Sequence, residues 1–297
     1  MSPLRAAVVP LLLLACVALS ACEEGVSPFI DAGRTFTVYG YLDTGRDTQH
    51  VRVIALRRRV DVPAPGPLDA TVTTTDLETG ETVRWRDSVV TFRDGSRGNV
   101  FAARFRPAFG HRYRLAVVRG DGATTTAVTR VPPKYEALID PPVVSSFTAR
   151  SVEQTVRWPG VVRRPLRVQV WYRLAPARPG GPFRDVAIPY LPEESGVAEG
   201  NRWRVLAQLS RDAGAVTKQL SIADLPALYG VGMKLSFADS SWVPPGGVFD
   251  PDILIEPGTF TNVEGGFGFF GAVAQLNAEW TLTRAATEAA GYPWPNP

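Results

Sequence analysis

Hydrophobic and polar positions alternate at period two along most of the chain, which is the pattern of half-buried strands. Phe36 to Leu42 alternates in this way, the turn Asp43-Thr44-Gly45-Arg46-Asp47 follows, and His50 to Leu56 alternates again with Val51, Val53 and Ala55 on one face. This pair predicts a hairpin. Further strands are predicted at Ala70–Thr75, Thr82–Trp85, Val89–Phe92, Val100–Phe105, Tyr113–Val118 and Thr124–Val131. Between the second and third strands lie Arg57-Arg58-Arg59 and the segment Val62 to Pro67, whose prolines exclude a central strand. A second group follows at Ser151–Trp158, Leu166–Leu174, Trp203–Leu209 and Met233–Ala238. In Leu166–Leu174, Val168, Val170 and Tyr172 oppose Arg167, Gln169 and Trp171. Ala175 to Pro182 is a Gly/Pro-rich loop.

Helical periodicity is scarce. Ser221-Ile222-Ala223-Asp224-Leu225 predicts the start of a short helix, with Ser221 as cap and Asp224 at the capping-box position, ended by Gly230 and Gly232. Thr283 to Ala290 predicts a terminal helix ended by Gly291. Tyr113, just inside a strand after the Gly110 turn, matches the tyrosine corner of immunoglobulin-like sandwiches. The expected fold is all-β: an N-terminal immunoglobulin/transthyretin-like sandwich over 29–133, then a second β-rich, sandwich-like domain over 134–284 with a short helix. Pro132-Pro133 marks the boundary, and residues 285–297 form the helix end and tail.

The first residues break the pattern. Arg5 precedes an almost wholly apolar run from Ala6 to Ala21, centred on Leu11 to Leu14 and stopped by Glu23-Glu24. A membrane-spanning helix needs about 20 apolar residues, so this run reads as a cleaved signal over 1–21. It ends in Leu19-Ser20-Ala21-Cys22, the lipobox of a bacterial lipoprotein. The Cys22 thiol can take a diacylglyceryl group and become residue one after cleavage; this reading is preferred to an ordinary secreted protein with a chance cysteine. Residues 22–28 are then a tether. The other cysteine, Cys16, leaves with the signal, so the mature chain has neither disulfide nor free thiol, and its stability rests on core packing. About 275 residues suffice for that. Two or more acyl chains anchor stably, and no later segment reads as a transmembrane helix, so the lipid is the expected membrane contact. Neither Glu23 nor Glu24 is the Asp that retains lipoproteins in the inner membrane of some bacteria, which places the anchor in the outer membrane, facing periplasm or exterior.

Composition adds little: 45% hydrophobic, 21% charged, net charge +3. Removing Arg5 takes +3 to +2, since no acid precedes residue 22. That charge, together with export, excludes nucleic acid as a partner. Lysine is confined to Lys134, Lys218 and Lys234, so arginine carries nearly all positive charge.

Asn262-Val263-Glu264-Gly265-Gly266-Phe267-Gly268-Phe269-Phe270-Gly271 is the most distinctive stretch. A phosphate-cradling loop needs a helix after it. Ala272 to Leu276 is β-like instead, so a twisted or bulged strand in a tightly packed core is expected. The residues Asn262, Glu264, Gly265, Gly266, Gly268, Phe270 and Gly271, with Gly110, Tyr113, Leu115 and Pro132, resemble the signature and layout of an uncharacterised bacterial envelope lipoprotein family, the domain of unknown function 4249 type. The resemblance covers nearly the whole mature chain. It implies an envelope lipoprotein, often encoded near outer-membrane TonB-dependent receptors, and implies no activity, catalytic residue or cofactor.

Candidate chemistry is thin. His50 and His111 lie on different predicted strands, and no Cys/His spacing suits zinc; His111 is expected in a surface or turn role. Asp250, Asp252, Glu193, Glu194 and Glu264 could supply a glycosidase carboxylate pair, and Asp250-Pro251-Asp252 a calcium site, against the plainer reading of solvated acids. Arginines recur at i, i+2 as Arg84/Arg86, Arg104/Arg106, Arg112/Arg114 and Arg202/Arg204. On strands each pair shares a face, either as an anion-binding surface or, the preferred reading, as a solvated one. Trp242, Trp294 and Tyr190 could stack on sugars, although packing is the preferred use. The expectation is an outer-membrane lipoprotein acting as a non-enzymatic binding or accessory subunit, with a TonB-dependent transporter as partner and a glycan or peptide as ligand. An envelope glycoside hydrolase and a structural or adhesive surface module are the alternatives.

Overall fold

The computed structural model describes residues 33–56, 66–145, 151–161, 164–239 and 262–295. The signal region with Cys22, the triple-arginine loop, Trp242, Asp250 and Asp252 lie outside them. The body is all-β, three sheets in two layers. One sheet of eight strands forms a shared layer, and two five-stranded sheets pack against it, each enclosing its own core.

The N-terminal half of the shared sheet is β1 (Phe36–Asp43), β2 (Thr48–Ala55), β6 (Arg97–Arg104) and β5 (Arg86–Thr91). β1 and β2 form the expected hairpin, with Val38 opposite Val53. The facing sheet contains β3 (Ala70–Asp76), β4 (Thr82–Arg84), β7 (Arg112–Arg119), β8 (Thr124–Arg130) and β17 (Val263–Glu264). Phe36, Val38, Val51, Phe101, Leu115 and Val117 fill the space between. The Tyr113 hydroxyl accepts the Ala108 N–H at 2.9 Å, so the tyrosine ties its strand to the chain five residues upstream. Burial pushes that phenol up to about 12.

The other half of the shared sheet is β18 (Gly266–Trp280), β16 (Leu228–Ala238), β12 (Arg167–Leu174) and β13 (Arg184–Tyr190). β9 (Leu138–Ile139), β10 (Val143–Ser145), β11 (Ser151–Pro159), β14 (Gly196–Glu199) and β15 (Arg202–Gln208) face it. Helices α1 (Pro192–Ser195), α2 (Leu209–Leu220) and α3 (Arg284–Ala289) complete this half. Val168, Val170 and Tyr172 point inward as their alternation predicts, against Trp158, Met233 and Leu235. Pro189 is tolerated in β13 because that strand is a sheet edge. No described helix is long and apolar enough to cross a membrane.

β18 joins the halves. Residues Gly266 to Val273 pair with β1, in parallel, and Val273 to Trp280 pair with β16, antiparallel. Each flank of β18 is therefore half without a strand, and buried backbone groups left there would need other partners. Side chains supply them. Asn262 Nδ2 donates to Phe270 O at 2.6 Å and Phe270 N–H donates to Asn262 Oδ1 at 3.0 Å, imitating a neighbouring strand. Ala272 N–H donates to Asp239 Oδ2 at 3.0 Å, and the Thr129 hydroxyl donates to the same oxygen. On the other flank Gln275 N–H donates to Thr44 Oγ1 at 2.9 Å.

The domain boundary at Pro132-Pro133 is corrected in one respect. It separates two cores, but the segment 134–284 is not self-contained: Val263, Phe270 and Ala272 fill the N-terminal core, and β17 pairs with β8. The short helix is also misplaced. α2 ends where a helix was expected to begin, and Ser221 follows it with φ 54°, in the left-handed region. The buried positions Leu209, Asp212, Ala213 and Val216 carry the helical spacing, which the preceding strand pattern masks. Gly230 and Gly232 lie within β16, and Gly232 has no Cβ because the Trp171 ring occupies that space. The terminal helix is as expected: Thr283 Oγ1 accepts the Ala286 N–H at 3.3 Å.

Gly268 has φ +97°, and a Cβ there would strike the Val38 carbonyl oxygen. Gly268→Ala is expected to cost about 2–5 kcal/mol, the sum of a left-handed penalty and a backbone clash. Gly122→Ala, at φ +88° with nothing within 4 Å, should cost only about 1–2 kcal/mol. Urea unfolding of both variants checks this, and equal losses would contradict the close-approach account.

Candidate functional site

The glycine signature proves to be architecture. Gly265, Gly266 and Gly268 leave no room for a side chain against Thr124, Phe36 and Val38 respectively. Phe270 is fully buried in the N-terminal core, and Gly271 lies opposite Tyr41. Asn262 serves as the strand substitute described above. Glu264 sits exposed on β17, opposite Thr126. The segment forms a strand in a packed core.

The most perturbed groups lie elsewhere, where β12, β13 and α2 meet. Asp212 is 1% exposed, brought inward by the apolar stripe of α2. Tyr172 and Tyr190 each donate their hydroxyl to Asp212 Oδ2 at 2.6 Å. The Gln208 N–H donates to the Tyr190 oxygen at 2.9 Å. Tyr292 stacks on Tyr172 with ring centroids 5.7 Å apart. Burial raises the Asp212 carboxyl above its ordinary value of 3.8, against the two tyrosine hydroxyls and Arg211, which pull it down. Burial and then the Asp212 charge raise all three phenols.

Tyr190 forms part of the wall of an open cleft of about 320 Å³, which Leu191, Glu194, Leu206, Gln208 and Arg211 also line. The Arg211 guanidinium lies 4.9 Å from the Tyr190 ring centroid and 3.5 Å from Asp212 Oδ1. The cleft thus offers one cation and one carboxylate over walls of mixed polarity, and Tyr190 stands between its opening and the buried Asp212. This suits recognition of a small polar group. For Tyr190, packing is preferred to sugar stacking; its ring lies under Arg211 and its hydroxyl is committed to Asp212. Asp212 escaped the sequence reading; the Leu209/Asp212/Ala213/Val216 spacing could have found it.

The remaining candidates are scattered. His111 Nδ1 is 2.8 Å from Asp76 Oδ2, and Glu78 accepts the Arg112 N–H at 2.6 Å. Asp76, Glu78 and His111 each bring one ligand atom within 4.8 Å of the others. Asp76 Oδ1 is already engaged by the N–H groups of Glu78 and Thr79, at 2.9 and 3.3 Å. The group clasps the turn after β3 to the start of β7, which is the turn role expected of His111. Burial pushes Asp76 up, but the His111 and Glu78 hydrogen bonds outweigh it and hold the carboxyl below its ordinary value. Glu194 lies in the cleft, and Trp294 is 37% exposed beyond α3. The arginine pairs are divided among partners: Arg84 and Arg86 lie in different sheets, Arg112 pairs with Glu78, and Arg202 and Arg204 both face Glu199.

No family model and no curated relative matches the chain. Among solved structures, the crystal structure of bovine butyrophilin is similar at 12% identity, covering 84% of this chain and 99% of that one, with a TM-score of 0.22. A likeness at that level carries no argument about this protein. The sheets themselves define the class: an all-β protein of sandwich architecture.

Two measurements test the buried cluster. Between its ordinary and its raised folded value, the folded state keeps the Asp212 proton that the unfolded chain has released. Stability contributed here is therefore present below 3.8 and falls as pH rises through that window. Urea midpoints should show wild type losing ground to Asp212→Asn from pH 4 to pH 7, and parallel trends would refute it. Tyr190→Phe removes one donor to Asp212 and leaves the Gln208 N–H without its acceptor, an expected loss of about 1–3 kcal/mol.

Proposed function

We propose that this chain is an envelope lipoprotein, held to the outer membrane by lipid on Cys22, which acts as a non-enzymatic binding or accessory subunit of a TonB-dependent transporter. The observation that carries the reading is Leu19-Ser20-Ala21-Cys22 at the end of a short apolar run. The body that follows supports it. Its signature glycines and Asn262 are spent on packing and strand pairing. Its buried carboxyl Asp212 accepts hydrogen bonds from Tyr172 and Tyr190, an arrangement that holds a cleft wall in place. The resemblance of the signature to the envelope lipoprotein family points the same way.

Palmitate labelling of cells expressing the wild type and Cys22→Ser tests the anchor. Label is expected on the wild type only, and equal labelling would sink the reading. Pull-down from detergent-solubilised outer membrane tests the accessory role. Co-purification of a receptor is expected, and repeated recovery of the protein alone counts against it.

A further inference from the structure

The outward face of β1, β2, β6 and β5 carries a concentration of cations that the sequence disperses. Strand register places Tyr39 opposite Arg52 and Tyr41 opposite His50. It places Arg52 opposite Val100, His50 opposite Ala102 and Thr48 opposite Arg104. It then places Ala102 opposite Arg86. Neighbouring strands are about 4.8 Å apart and alternate residues about 7 Å apart, so these groups lie within about 15 Å of one another. Arg86 and Arg104 come from two different i, i+2 pairs, and only the sheet unites them with Arg52.

Val100 is short beside the tyrosines, and a recess of about 250 Å³ opens there. Tyr39, Tyr41, Arg46, His50 and Arg52 line it, with Asp43 at the Arg46 end. Tyr41 is 40% exposed. Arg46 is 3.3 Å from Asp43 Oδ2. Among the described residues, no carboxylate lies within ion-pair distance of Arg52, Arg86 or Arg104. The Arg52 guanidinium lies 4.6 Å from the Phe92 ring centroid, and its Nε is buried without a hydrogen-bond partner. Asp94, in the turn between β5 and β6, feels the Arg52 charge only weakly; its carboxyl is lowered first by the Ser96 side-chain hydrogen bond.

Arginines without a carboxylate partner offer planar, forked donors to oxyanions. Tyrosine rings offer an apolar face to the C–H surface of a sugar, with a hydroxyl at the rim. We propose that this face is a binding site for an anionic glycan: its acid groups rest on Arg52, Arg86 and Arg104, and a sugar ring packs on Tyr41. The assignment stands apart from the lipid anchor and from the cleft at Tyr190.

The test uses the full chain in detergent and measures binding by isothermal titration. Polygalacturonate is the acidic glycan, dextran the neutral one, and inorganic polyphosphate an anion without a ring. Polygalacturonate should bind, dextran should not, and polyphosphate should bind at least tenfold more weakly. Arg52→Gln combined with Arg86→Gln should weaken polygalacturonate binding at least tenfold. Arg119→Gln, on the facing sheet and paired with Asp121, should leave it unchanged. Tyr41→Ala should weaken polygalacturonate and leave polyphosphate unaffected. The single variants Arg86→Glu and Arg104→Glu, at exposed positions, repeat the charge test if the double variant fails to fold. Equal binding by wild type and the arginine variants overturns the proposal. So does dextran binding, or polyphosphate binding as tight as polygalacturonate, since plain charge or plain stacking would then suffice.

Discussion

The structure depends on the placement of β18. This strand is the parallel neighbour of β1 over its first half and the antiparallel neighbour of β16 over its second. Two sandwiches can share one sheet only because a single strand long enough to serve both lies at their junction. Its free flanks would bury unpaired backbone groups, each a penalty comparable to a lost hydrogen bond. Asn262, Asp239 and Thr44 remove that penalty. The glycines serve the same end, letting β18 approach the carbonyls of β1 and β8 more closely than any side chain permits. The whole distinctive motif near the C-terminus is thus the chemistry of one strand insertion.

That arrangement couples the ends of the chain. The N-terminal core contains Phe270 and Ala272, more than two hundred residues from Phe36, and closes only when they arrive. Pairing across so long a separation must meet its loop-closure entropy before the contacts reward it. The two halves are therefore one cooperative body in the region of β18, although each has its own core.

Function rests on other parts of the molecule. Among the described residues the interior is occupied by packing and by the Asp212 hydrogen bonds. The cleft at Arg211 and the arginine face of β1, β2, β6 and β5 lie in different halves of the body, and both are open to solvent.

Much of this was legible in the sequence. Period-two alternation located β1 to β8, β11, β12, β15 and β16, because a half-buried sheet imposes it residue by residue; the short strands β9, β10, β14 and β17 carry too few residues to show a period. Tyr113, Thr283 and the inward set Val168, Val170 and Tyr172 were readable for the same local reason. The helix α2 was missed because its apolar stripe begins at the end of a strand, where two periods overlap, and β13 because Pro189 interrupts an edge. By itself the sequence determined the strand pattern and the β class, both of which are carried by neighbouring residues. Only the tertiary structure decided which strands share a sheet. Register alone brings Arg52, Arg86 and Arg104 to one face, buries Asp212 beneath two tyrosines, and turns the glycine signature into the strand that joins both halves. Those outcomes depend on contacts between residues far apart in the chain, and no local period encodes them.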